Sequence, residues 1–213
     1  MERRLQVAVD VIELSRAVRI AYESYINGAD IIEAGTPLIK MHGVLPIKIF
    51  KEIADDKIVL ADLKTLDAGK LEAEIAFSNG ADMVSISALA DVKTITDVIE
   101  VAEEYGGKVC VDLLNVRDLR EKIKWLLGLN VDYILIHLGL DQQARGLNIV
   151  ESIKPVADLI PKQKLSVAGG IGLHNIRDVL AFSPSIVVVG GAIYKSEKPG
   201  EVVKKLKNVL LEK

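Results

Sequence analysis

The feature that most constrains this chain is a repeat. Short apolar stretches return eight times, about every 26 residues, with amphipathic stretches between them. The apolar stretches are Leu5–Asp10, Asp30–Ala34, Lys57–Leu63, Asp82–Ser87, Lys108–Leu113, Asp132–His137, Lys164–Ala168 and Ser185–Val189. Most are nearly unbroken in Val, Ile, Leu and Ala, which is the pattern of parallel strands covered on both faces. Residues 71–77, 92–104 and 201–212 keep a helical period in their apolar positions. Asn27-Gly-Ala-Asp30 returns as Asn79-Gly-Ala-Asp82, one helix-to-strand junction used twice. Eight alternating units in 213 residues fit a single (β/α)8 TIM barrel spanning 1–213 better than an open doubly wound sheet. The first strand also lacks the glycine fingerprint that follows it in a dinucleotide-binding fold. A barrel this small must have short loops, which make a poor lid, so a partner subunit is expected to complete the active site.

Composition narrows the function. Half of the chain is hydrophobic, and a formal net charge of −3 leaves no basic footprint for nucleic acid. No apolar run reaches the ~18 residues of a membrane span. Asp10 and Glu13 interrupt any leader-like apolar core near the N-terminus. The one cysteine, Cys110, can build neither an internal disulfide nor a zinc cluster. These features predict a soluble, cytoplasmic protein. Cys110 reads as a small buried hydrophobe, Trp125 as helix packing, and His42 and His174 as bland loop or helix-start residues.

Barrel enzymes carry their chemistry at the C-terminal strand ends. Here those ends hold Asp10, Glu33, Asp62 with Lys64 and Asp67, Asp112, and His137 followed by Asp141. Ionisable groups inside a barrel are costly, and packing does not explain their collection at one rim. Asp62 and Lys64 are two apart and should point to the same face. A lysine beside carboxylates stays charged and can stabilise an enolate oxygen; a structural ion pair is the alternative. Glu33 and Asp62, on adjacent strands, make a reasonable Mg2+ site, unless Glu33 simply pairs with Lys64. His137 is the candidate proton-transfer group. The last two strands end in Gly169-Gly170 and Gly190-Gly191, where barrels often bind phosphate through backbone amides.

These residues resemble a known family. Ala61-Asp-Leu-Lys-Thr-Leu-Asp-Ala-Gly69 is similar to the Asp-x-Lys-x-x-Asp motif of the orotidine 5′-phosphate decarboxylase superfamily. The likeness extends through Gln6–Asp10, Ile32–Lys40, His137–Ala144, Ala168–Ile171 and Val188–Ile193. It is greatest to the branch that reversibly joins formaldehyde to ribulose 5-phosphate with Mg2+, through an enediolate. The resemblance implies that Glu33 and Asp62 ligate Mg2+, that Lys64 stabilises the enediolate and that His137 moves the proton. It further implies that Asp10 orients the substrate or Lys64, and that Gly170 and Gly191 give amides to phosphate. Asp67 would reach the neighbouring site of a homodimer with shared active sites. Orotidine decarboxylases carry lysine at the Glu33 position and use no metal, so that activity is not expected. The 3-keto-L-gulonate-6-phosphate decarboxylase branch usually carries arginine at the positions of Leu140 and Gly191, and remains the second reading. A sugar-phosphate-binding barrel without turnover would be expected to have lost Lys64 or the acids, and all are present.

Overall fold

The structure is a computed structural model and describes residues 3–212. Eight parallel strands close in sequence order into one barrel, with the last strand pairing with the first. They are β1 (Arg4–Val9), β2 (Ile31–Ala34), β3 (Ile58–Thr65), β4 (Met83–Ser87), β5 (Lys108–Asp112), β6 (Tyr133–His137), β7 (Leu165–Ala168) and β8 (Ile186–Val189). The helices among the described residues are α1 (Leu14–Ile26), α2 (Thr36–His42), α3 (Leu45–Ala54), α4 (Gly69–Ser78), α5 (Val92–Tyr105), α6 (Leu119–Leu126), α7 (Leu140–Ala144), α8 (Ile149–Ile153), α9 (Ile176–Leu180), α10 (Gly191–Tyr194) and α11 (Pro199–Leu211). The three expected helical stretches fall on α4, α5 and α11.

Two apolar layers explain the unbroken strand sequences. Val7, Val9, Val84, Val109 and Val111 pack in the layer between strands and helices. Ala8, Leu60, Met83, Cys110 and Leu135 pack with one another inside the barrel. A strand buried on both faces has no polar alternation to show. Cys110 is a free, buried thiol in the inner layer. Trp125 packs against the outer layer with Lys122 Nζ 4.7 Å from its ring centroid.

Six strand starts (β2, β3, β4, β6, β7 and β8) lie one residue later than the sequence predicts, and three of them share one physical reason. Asp30, Asp82 and Asp132 do not join the ladder. Their carboxylates accept the amides of Leu5, Val59 and Val109 on the preceding strands, at 2.7, 2.8 and 2.9 Å. Lys207 and Lys51 clamp Asp30 and Asp82 from the helix layer. A larger correction concerns β3, which runs on to Thr65. Its register with β4 shifts between Ala61 and Thr65, and Lys64 has φ +49°. Asp62 and Lys64 do share the barrel mouth, but through this irregularity rather than through regular strand alternation.

The loop between β3 and α4 is short, at residues 66–68, as expected. The connection from β6 to β7 is not: residues 138–164 include α7 and α8 and lie partly over the mouth. No helix among the described residues is long and apolar enough to cross a membrane.

Candidate active site

A cavity of about 750 Å³ opens at the C-terminal ends of the strands. Asp10, Glu33, Asp62, Lys64 and His137 line it, together with Gly169, Gly170, Gly190 and Gly191. Nine of the ten residues expected to form the site therefore share one cavity.

A continuous polar chain organises its floor. Lys64 Nζ lies 2.9 Å from both Asp62 oxygens and 3.0 Å from Asp112 Oδ2. The same Asp112 oxygen is 2.8 Å from His137 Nδ1. Ser85 ties the β3 irregularity together: its hydroxyl accepts the Lys64 amide at 2.9 Å and donates to Asp62 Oδ1 at 2.6 Å. Thr36, at the start of α2, donates its hydroxyl to Asp62 Oδ2 at 2.6 Å. On β2, Glu33 accepts from the buried Gln6 amide at 2.6 Å. Its contact is thus with Gln6, and the simple Glu33–Lys64 ion pair is not formed.

Burial works against the Lys64 ammonium, but Asp62 and Asp112 outweigh it and hold its pKa well above the usual lysine value. Burial would also raise Asp112; the His137 hydrogen bond and charge and the Lys64 ammonium reverse this and bring its pKa to about 2. Asp112 is therefore an ionised acceptor, and the bond to it requires the hydrogen on His137 Nδ1. That leaves Nε2 as the free nitrogen of the neutral ring. Glu33 and Asp10 behave in the opposite way. Burial, then the charge of Asp62, pushes Asp10 up to about 6. Burial, Asp62 and Asp10 push Glu33 well above the ordinary glutamate range. Lys64 is already shared between two carboxylates, so negative charge is in excess at the Glu33–Asp62 side of the mouth.

That excess fits a hard divalent cation. Among the described residues no three His, Cys, Asp or Glu side chains gather as a ready metal cage. The donor set is two carboxylates with room for other oxygen ligands, as Mg2+ commonly uses.

The glycine pairs follow β7 and β8 and line the same cavity. Gly169 and Gly170 have φ of +118° and +64°, which glycine adopts without steric cost. Gly190 precedes the short α10, which begins at Gly191. Among the described residues, the Gly170 and Gly191 amides donate to no acceptor of the chain. Asp10 stands beside these glycines, where a β-carbon on Gly190 would lie 3.3 Å from its Oδ2. No side-chain bond joins Asp10 to Lys64.

Asp67 is the expected residue that lies apart. It is exposed in the β3–α4 loop, its Oδ1 accepts the Ala68 amide at 2.8 Å, and it does not line its own chain's cavity. The two residues expected to be bland divide. His42 Nε2 bonds the Ile12 carbonyl at 2.8 Å, whereas His174 lines the cavity beside Gly172. Asp112 was visible as a charge at the β5 end, but its partnership with Lys64 and His137 was not expected. Ser85 gave no sequence signal, and Gln6 and Thr36 stood only within segments of family likeness, with no role expected of their own.

Comparison with known proteins places this barrel in a defined class. Residues 3–206 match the model of the orotidine 5′-phosphate decarboxylase / HUMPS family, and the chain belongs to that family. Among its relatives, a 3-hexulose-6-phosphate synthase of Bacillus subtilis is 34% identical, over 98% of this chain and 99% of its own. The crystal structure of 3-hexulose-6-phosphate synthase from Salmonella typhimurium is 36% identical and superposes with a TM-score of 0.93, covering 98% of both chains. The 3-keto-L-gulonate-6-phosphate decarboxylase of Vibrio cholerae shares the fold, with a TM-score of 0.85 at 23% identity and 99% and 98% coverage.

Proposed function

We propose that this enzyme is a carbon–carbon lyase of the aldolase type, a 3-hexulose-6-phosphate synthase that condenses formaldehyde with D-ribulose 5-phosphate reversibly through an enediolate. The observation that carries the reading is the Asp62–Lys64–Asp112–His137 chain at the cavity floor. The near-full-length likeness to synthases supports it.

The residues divide the work. His137 Nε2 takes the C1 proton of the sugar phosphate, while Asp112 holds the ring and stabilises the imidazolium that results. The Lys64 ammonium, fixed by two carboxylates, faces the charge that develops on the adjacent oxygen. C1 of the sugar then attacks the formaldehyde carbon as the C2 carbonyl re-forms; the new C–C bond replaces the formaldehyde C=O π bond, and the formaldehyde oxygen takes the proton from the imidazolium. Glu33 and Asp62 would hold Mg2+. When bound there, Mg2+ supplies Lewis-acid stabilisation of the developing oxyanion. The amides of Gly169, Gly170, Gly190 and Gly191 would take the phosphate, and Asp10 would orient the sugar. We assign the active unit as a homodimer with Asp67 completing the partner's site, and place it in the cytoplasm.

Decarboxylation of 3-keto-L-gulonate 6-phosphate is the second reading, because it needs a similar enediolate. Leu140 argues against it: it is 67% exposed, lines the cavity and offers no proton to an enediolate. Side-by-side steady-state kinetics test the choice. We expect kcat/KM for condensation to exceed that for decarboxylation by at least ~10-fold, about 1.4 kcal/mol of transition-state binding. A preference for the keto acid would reverse the assignment, and full activity in a strong chelator would remove Mg2+ from it.

A further inference from the structure

Beyond the two glycine loops, a phosphate dianion in this cavity needs positive charge. Four carboxylates line the wall: Asp10, Glu33, Asp62 and Asp141. Among the described lining residues, the permanently charged cations are Lys64 and Lys195. The first is held between Asp62 and Asp112 at the ends of β3 and β5.

Lys195 is placed differently. It caps the C-terminus of α10, where its amide donates to the Gly191 carbonyl at 3.2 Å. Residues four apart on a helix stack on one face, and long side chains lean toward the helix N-terminus. The ammonium therefore folds back over the first turn. Lys195 Nζ lies 3.9 Å, and the Tyr194 hydroxyl 3.8 Å, from the point a β-carbon on Gly191 would occupy. Glycine at 191 leaves that space open to the cavity. Arg16 donates to the Tyr194 carbonyl at 2.5 Å and pins the turn that carries Lys195. Among the described residues the Lys195 side chain joins no ion pair and no hydrogen bond, so its charge is committed to no group of the chain.

We propose that Lys195 is a phosphate-binding residue, its ammonium supplying the side-chain cation that joins the Gly191 amide on the ligand's phosphate. This assignment rests on the reading that phosphate lies at the glycine loops. It makes phosphate recognition depend on one exposed cation that can be changed without disturbing the Lys64 network.

The test compares Lys195→Met, Lys195→Arg, His174→Ala and Gly191→Val. The readouts are inorganic phosphate affinity by calorimetry and KM and kcat with ribulose 5-phosphate. Lys195→Met should weaken phosphate binding and raise KM by ~10-fold, with kcat changed by less than about threefold and Lys195→Arg close to the parent. If Gly191→Val raises both constants while Lys195→Met does not, phosphate is at the loops and the Lys195 assignment is wrong. It is equally wrong if His174→Ala reproduces the loss and Lys195→Met does not. If Gly191→Val also leaves both constants unchanged, the phosphate is elsewhere and the underlying reading fails with it.

Discussion

Lys64 occupies a left-handed backbone conformation that a non-glycine residue adopts at a cost of order 1 kcal/mol. The surroundings that hold it there are the Ser85 hydroxyl on its amide and two carboxylates on its ammonium. The strain places one cation between β3 and β5, where the proposed reaction would develop charge. Replacing Lys64 with alanine should lower turnover by ~100-fold or more, the scale for losing one preorganised electrostatic group, while phosphate affinity stays near the parent value. Turnover within a few-fold of the parent would make Lys64 only a structural partner. Asp10 gives a second prediction, on stability. Its folded pKa of about 6 lies above the ordinary aspartate value of 3.8, chiefly through burial. The folded state therefore binds the extra proton between these values. The contribution of Asp10 to stability is full below that window and is lost as pH rises through 6. In metal-free protein at pH 7.5, Asp10→Asn should stabilise the fold by about 1–3 kcal/mol, a gain that vanishes near pH 4. Thermal melts at the two pH values read this directly. A variant that is less stable than the parent at pH 7.5 would show that the buried charge is already compensated.

At the scale of elements, the barrel repeats a two-strand unit. The aspartates before β2, β4 and β6 each reach back to an amide of the strand before. The clamp fixes where a strand begins without spending a ladder residue on it. Asp82→Ala leaves the Val59 amide, on a fully buried residue, without its acceptor and frees Lys51. We expect a loss of about 1–3 kcal/mol in urea unfolding, with the secondary structure unchanged. A loss below about 0.5 kcal/mol, within the usual range of surface substitutions, would show that water replaces the carboxylate there. The same elements show what a sequence displays and what it hides. All eight strands were legible because burial on both faces leaves unbroken apolar runs, and the rim charges because packing gives no reason for them. Three of the six shifted strand starts moved because Asp30, Asp82 and Asp132 look like ladder residues until their side chains turn aside. The Asp112–His137 bond joins residues 25 apart in sequence; only the register of β5 against β6 brings them together. Ser85 and Thr36 are small hydroxyls in positions that periodicity does not distinguish. The bend at Lys64 cannot be read from residue types, since lysine carries no preference for positive φ.

At the scale of the molecule, the exposed side of the mouth raises the question of what covers it. Leu66, Leu71 and Ile75 are 59%, 59% and 41% exposed on the β3–α4 loop and α4, and Leu89 and Val92 are 53% and 55% exposed at the start of the neighbouring α5. Scattered exposed leucines need no explanation, but apolar residues on adjoining segments beside a catalytic rim suit an interface. Asp67 stands among them and points no polar atom into its own cavity. In a two-fold dimer built on this face, each Asp67 would be offered to the other subunit's site. Subunit exchange tests that arrangement without relying on either variant's own activity. Asp67→Ala and Lys64→Ala chains should each be nearly inactive alone. Mixed in equal amounts and allowed to exchange, half of the dimers carry one chain of each kind. In such a dimer one site combines the intact Lys64 of the first chain with the intact Asp67 of the second, while the other site lacks both. Activity should therefore return to about a quarter of the parent's, per chain, under random pairing. If Asp67 served its own barrel, no pairing of these chains would assemble an intact site, and the mixture would stay as inactive as its parts. Light scattering at the assay concentration supplies the independent check, because a monomer there would contradict shared sites whatever the mixing experiment gave.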